Sequence, residues 1–115
     1  MVLNIPAALH DGVYSGDMCY DPGRDDPARC FPTGAIVERG RMSGKWPHRS
    51  PGVNWILVGE VSPIGEAKIQ IVAKNALGES IGESIGLSGL ARNGRLQASG
   101  KQLTGRAVTI NWTRN

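Results

Sequence analysis

The sequence predicts an all-β fold, an antiparallel meander of about seven to eight strands forming a small barrel or half-barrel. Three observations carry this prediction. Stretches of period-two alternation recur about every ten residues, each bounded by Gly, Pro, Asn or Ser. Glycine supplies 16 of 115 residues, roughly twice its usual share, which favours turns and short strands. Helical periodicity is nearly absent, and consecutive hairpins pair as neighbours, which curls a meander toward closure.

The elements can be justified in order. Residues 1–10 read as an N-terminal extension of a single domain spanning 1–115. Gly12 to Tyr20 alternates Tyr14, Gly16, Met18 and Tyr20 against Val13, Ser15, Asp17 and Cys19, and Asp17 assigns the tyrosine face to the core. Gly34 to about Gly44 gives neither face cleanly apolar character, as expected of a strand that is strongly bent or at an edge. Pro47, Pro51 and Gly52 break the chain, and Val53 to Val61 is the strongest strand, with Val53, Trp55, Leu57 and Val61 facing one way. Ser62-Pro63-Ile64-Gly65 suits a type I turn, leading to Ala67 to Lys74 with Ile69, Ile71 and Ala73 sharing a face.

Glu-Ser-Ile-Gly occurs twice in succession within residues 79–86. Glycine at every fourth position costs a helix nearly 1 kcal/mol each relative to alanine, so an extended strand or bulged hairpin is expected there. Asn93-Gly94 between Ser84 to Ala91 and Arg95 to Ser99 is the clearest hairpin signal. Gly105 leads into a last strand, Arg106 to Arg114, with Val108, Ile110 and Trp112 on one face.

Two cysteines, Cys19 and Cys30, flank a segment rich in Asp, Pro, Gly and Arg that reads as loop, so residues 20–33 are expected to form a disulfide-closed loop. In the chain-entropy picture such a closure stabilises by roughly 3 kcal/mol, a large share for a chain whose aromatics are 5%. The alternatives are two reduced thiols or a zinc site, and the latter lacks any Cys-x-x-Cys and has only His10 and His48 to draw on. A disulfide implies an oxidising compartment, hence a periplasmic or secreted protein. The opening Met1 to Leu9 has no basic n-region and is too short and interrupted for a secretory signal, so the chain reads as either cytoplasmic or a mature form carrying an added methionine. No run approaches the ~18 apolar residues of a membrane helix, so no membrane span is expected.

Asp11-Gly12-Val13-Tyr14-Ser15-Gly16, the cysteine-bearing loop, and Gly-punctuated strands such as Gly86-Leu87-Ser88-Gly89 and Gly94-Arg95-Leu96 resemble small exported β-domains of alphaproteobacteria. Those domains open with a similar Asp-Gly-x-Tyr-x-Gly and have no assigned activity. The resemblance implies an exported β-domain and carries over no site. Val108-Thr109-Ile110-Asn111-Trp112 also looks like strands of avidin-type barrels, again with no matching set of ligand-binding residues.

The chemistry-bearing motifs are sparse. No Gly-x-Ser-x-Gly or phosphate loop occurs and neither histidine lies in a nucleophile motif, so the sequence points away from an enzyme and implies no cofactor. His10-Asp11 reads as a cap or turn. Asp17, Asp21, Asp25 and Asp26 lack the spacing of an EF-hand, and Arg24 and Arg29 are expected to neutralise them. Asn111-Trp112-Thr113 is a glycosylation acceptor only in a eukaryotic secreted protein.

Residues 39–49 are the most distinctive surface stretch, with Arg39, Arg41, Lys45, Trp46 and Arg49 as candidate binding residues. They suit an anionic surface, a polysaccharide or a protein partner. The same residues also suit an edge strand guarded by charge, with Trp46 folded back over the core. A net charge of +3 is mild for a nucleic-acid binder, which ranks below the other partners. Trp55 and Trp112 fit the core, and Tyr14, Trp55 and Trp112 would border a ligand cavity if the barrel were wide. The sequence therefore favours a non-enzymatic exported binding or accessory module, with a small-ligand carrier as the alternative.

Overall fold

The computed structural model describes residues 7–115, so the first six residues of the expected extension lie outside the described residues. A single 3-10 turn, Ala7–His10, precedes eight strands: β1 Gly12–Tyr20, β2 Arg29–Glu38, β3 Arg41–Pro47, β4 Asn54–Val61, β5 Glu66–Lys74, β6 Ser80–Arg92, β7 Arg95–Lys101 and β8 Ala107–Arg114. Each strand pairs antiparallel with the next, and β8 returns to pair with β1, closing the barrel. The all-β meander expected from the alternation is the fold observed, with eight strands and full closure.

The core is the set of inward positions that the alternation marks. Tyr14, Met18, Leu57, Ile71, Ile85, Leu96, Ile110 and Trp112 are all essentially inaccessible. Trp112, the largest, donates its Nε1–H to Thr33 Oγ1 at 3.0 Å, so the indole is buried without an orphaned donor. Outward positions on the same strands are mostly polar, among them Glu60, Lys68, Gln70, Ser88, Gln97 and Asn111. Apolar inside and polar outside is the reverse of the arrangement in a lipid-facing barrel. No helix among the described residues is long and apolar enough to cross a membrane.

The single bent strand expected over residues 34–44 is a hairpin instead. Arg39 and Gly40 take positive φ angles of 51° and 76° and form a two-residue turn between Glu38 and Arg41, which pair directly. The turn brings Val37 opposite Met42, so both point inward although they fall on opposite faces of an uninterrupted strand. Closure removes only part of the edge position expected for this segment: β3 pairs with β4 along its whole length but with β2 only through Arg41–Ser43. Asp11 fixes the turn by accepting the backbone N–H groups of Arg39 and Gly40 at 2.6 and 3.0 Å.

The hairpin at Asn93-Gly94 forms as expected, with φ angles of 53° and 75°. Ser62 to Gly65 forms the expected turn, closed by a Gly65 N–H to Ser62 carbonyl bond of 2.9 Å. The Glu-Ser-Ile-Gly repeat enters β6 through a bulge: Ile71 pairs with Ile85, but Ala73 pairs with Ile81, and Gly82 adopts φ 71°. Farther along, β6 passes so close to β7 that a Cβ at Gly89 would collide with the Gln97 carbonyl oxygen, and only glycine lets the sheet coil that tightly there.

The two ends of the barrel differ. The turns at 39–40, 62–65 and 93–94 share one end with the start of β1 and the end of β8. The Ala7–His10 turn sits over that end. Tyr14 donates its hydroxyl to the His10 carbonyl at 2.6 Å, Arg114 reaches the Leu9 and Asp11 carbonyls at 3.3 Å each, and His10 Nε2 lies 3.2 Å from the Pro63 carbonyl. The opposite end carries the longer connections, residues 21–28, 48–53, 75–79 and 102–106.

Candidate functional site

Cys19 and Cys30 are directly opposite in the β1–β2 register and are disulfide-bonded, with 4.1 Å between Cα atoms. The expected loop of 20–33 is shorter than the sequence reads, because Arg29 already belongs to β2; the connection proper is 21–28. The disulfide lies next to the long-loop end, and its neighbours Tyr20 and Phe31 stack there with centroids 5.7 Å apart.

Arg106 ties the 21–28 connection to the last strand. Its Nε donates to the Asp21 carbonyl at 2.6 Å, its Nη2 to the Pro27 carbonyl at 2.9 Å, and its Nη1 lies 3.7 Å from Asp26 Oδ2. The guanidinium also sits 5.2 Å from the Tyr20 ring centre, a cation–π contact. Asp26 is 59% exposed, so the ion pair itself adds little; the two carbonyl bonds hold the loop. The partner of the acidic loop is therefore Arg106, in place of the expected Arg24 and Arg29.

The neighbouring β3–β4 connection folds a second wall. Trp46 and Trp55 are cross-strand partners in the β3–β4 register. His48 packs on Trp55, ring centres 4.8 Å apart, and accepts the Ser50 N–H at Nδ1, 3.0 Å. A ring nitrogen that accepts carries no proton, so Nε2 bears the hydrogen of the neutral imidazole. Phe31, Trp46 and Trp55 pack partly against the core below. Trp46 Nε1 is buried with no hydrogen-bond partner among the described residues.

Between these walls lies an open cleft of about 390 Å³, lined by Tyr20, Asp26, Arg29, Phe31, Trp46, Pro47, His48, Arg49, Trp55, Gln102 and Arg106. Four of the aromatic side chains of the chain converge here. The side chains of Arg29 and Arg49 belong to exposed residues and make no hydrogen bond or ion pair among the described residues. A larger depression of about 680 Å³ runs over the outer wall at Val58, Lys68, Gln70, Ser88 and Ser99. It is a shallow surface with no aromatic ring in its lining, and the mouth is the better-formed site.

The structure divides the candidate binding residues. Trp46 and Arg49 line the mouth. Arg39 and Arg41 are at the plugged end, where they line a different depression with Glu60, Glu66 and Lys68, and Lys45 faces outward midway between. Residues 39–49 thus run the length of the barrel wall and form no single basic patch. The cavity set separates too. Trp55 lines the mouth, whereas Tyr14 and Trp112 are each 1% exposed within the packed core. The expectation missed Tyr20, Arg29, Phe31, His48 and Arg106. Their signal was positional, since aromatic residues flank the connection after β1 and the connection after β3, and alternate connections of a meander share an end.

Fold and cleft together define a small, closed, up-and-down β-barrel with one plugged end and one aromatic, cationic mouth. Compared with protein-family models, curated proteins and solved structures, the chain matches none.

Proposed function

We propose that this protein is a non-enzymatic, exported binding module whose ligand enters the open mouth of the barrel. The observation that carries the reading is the convergence of Tyr20, Phe31, Trp46 and Trp55 with arginines around one cleft, at the end opposite the plug. Export, to the periplasm or the exterior, is supported by the disulfide, which suits an oxidising compartment. The polar groups of the mouth favour holding over reacting: arginine side chains do not exchange protons near neutral pH, Asp26 is tied to Arg106, and His48 Nδ1 is engaged by backbone.

The carrier alternative narrows to the same place. The barrel interior is occupied by side chains such as Met18, Leu57, Ile85 and Trp112, so a small ligand has room at the mouth and not along the axis. Amide and indole NMR shifts test the site against a panel of small ring compounds and acidic oligosaccharides. Saturable shifts are expected at Tyr20, Phe31, Trp46, His48 and Trp55. Shifts confined to the outer wall at Val58, Gln70 and Ser88 would move the site away from the mouth.

A further inference from the structure

We propose that the mouth selects a six-membered ring bearing a carboxylate, with the ring laid against Trp46 and Trp55 and the carboxylate met by Arg49 and Arg29; this rests on the mouth being the binding site. The argument is a count of what the cleft offers. Its available hydrogen-bond donors are the guanidinium groups of Arg29 and Arg49 and the Nε2–H of His48. Its one carboxylate, Asp26, lies 3.7 Å from Arg106, and the neutral side chains able to accept are the Gln102 amide and the Tyr20 hydroxyl. Such a site complements a ligand rich in acceptors and carrying negative charge.

The arginines are not equivalent. Arg106 has its nitrogens committed to Asp21, Pro27 and Asp26, so it holds the loop in place. It is a positioning residue. Arg29 opens β2 and Arg49 lies in the β3–β4 connection, and both have their forked donors unspent, the geometry that receives a carboxylate through two parallel bonds. The indoles supply the flat apolar half of the site. A volume of about 390 Å³ lies at the small end of ligand sites, which fits one ring with its substituent.

Two sources supply this chemistry: a free aromatic acid, or the uronate unit of an acidic polysaccharide. The test uses the full disulfide-bonded chain and two matched pairs, benzoate with benzamide and trigalacturonate with its methyl ester. Affinity is read by calorimetry and location by NMR, with each ligand taken to about 10 mM, a range that captures even weak binding. The acid of at least one pair is expected to bind about tenfold or more tighter than its neutral partner, with shifts at Trp46 and Trp55. Which acid binds identifies the source.

The double variant Arg29→Gln/Arg49→Gln should lose about tenfold for the acid and little for the neutral compound. Arg39→Gln/Arg41→Gln, at the far end, should change neither. Equal binding of acid and neutral partner at Trp46 and Trp55 overturns the carboxylate selection and leaves the mouth as the site. Absence of saturable shifts at the mouth with all four compounds overturns both.

Discussion

Tyr14 shows how one side chain closes one end of the molecule. Its ring is in the core and its hydroxyl is bonded to the His10 carbonyl. Burial pushes the hydroxyl above the usual tyrosine range, and the nearby Arg114 pulls it only partly back. The unfolded chain therefore gives up this proton first. The stabilisation is complete below the unfolded value of about 10 and is lost as pH rises through the higher folded value. Urea melts of wild type should lose stability over that alkaline window. Tyr14→Phe should show a flatter dependence there, at a cost of about 1 kcal/mol near pH 7 for the missing bond to His10. Identical alkaline slopes for the two proteins would place the pH dependence elsewhere. Trp112 solves the same problem differently, by a side-chain partner, Thr33, reached over Gly16 of the intervening β1.

At the scale of elements, the Arg39-Gly40 turn decides the topology. Arginine at φ 51° bears the left-handed penalty of roughly 1–2 kcal/mol for a residue with a Cβ, and asparagine tolerates that region better. Arg39→Asn should stabilise the protein by about 0.5–1 kcal/mol, measured by urea unfolding, since the contacts to Asp11 are made by backbone N–H groups and survive the change. A loss of stability would mean that the Arg39 side chain contributes something the backbone account omits. Asn93-Gly94 announces its turn in the sequence, whereas Arg39-Gly40 hides an equivalent turn behind an unusual residue. The consequences travel down the chain. Reading 34–44 as one strand drops one reversal, which would send the 48–53 connection to the end opposite the 21–28 connection and keep Trp46 and Trp55 apart from Tyr20 and Phe31. The fold class, the Cys19–Cys30 pair and most inward faces were legible from alternation and composition. The mouth was not, because its location depends on the parity of reversals and that parity rested on Arg39.

For the whole molecule, closure and the disulfide act together. Every described strand has two partners, although β2 and β3 pair with each other only over Ile36–Glu38 and Arg41–Ser43 and leave edge groups toward the mouth, and the Cys19–Cys30 bond locks the β1–β2 pair beside the mouth. The bonded cysteines are 11 residues apart in sequence, a loop for which the chain-entropy model gives roughly 3 kcal/mol. Cys19→Ala/Cys30→Ala should lower unfolding stability by about that amount. A thiol titration should find no free thiol in the native wild type, and two would remove the basis for an oxidising compartment.

An even number of antiparallel strands returns the chain to where it began. Asn115 donates its backbone N–H to the Val13 carbonyl at 2.8 Å, and Tyr14 pairs with Arg114. Both ends of the barrel chain therefore emerge on the side away from Trp46 and Arg49. Anything joined to either one, whether an anchor, an affinity tag or a neighbouring domain, would hold the domain like a cup by its base, with its aromatic rim facing the surroundings.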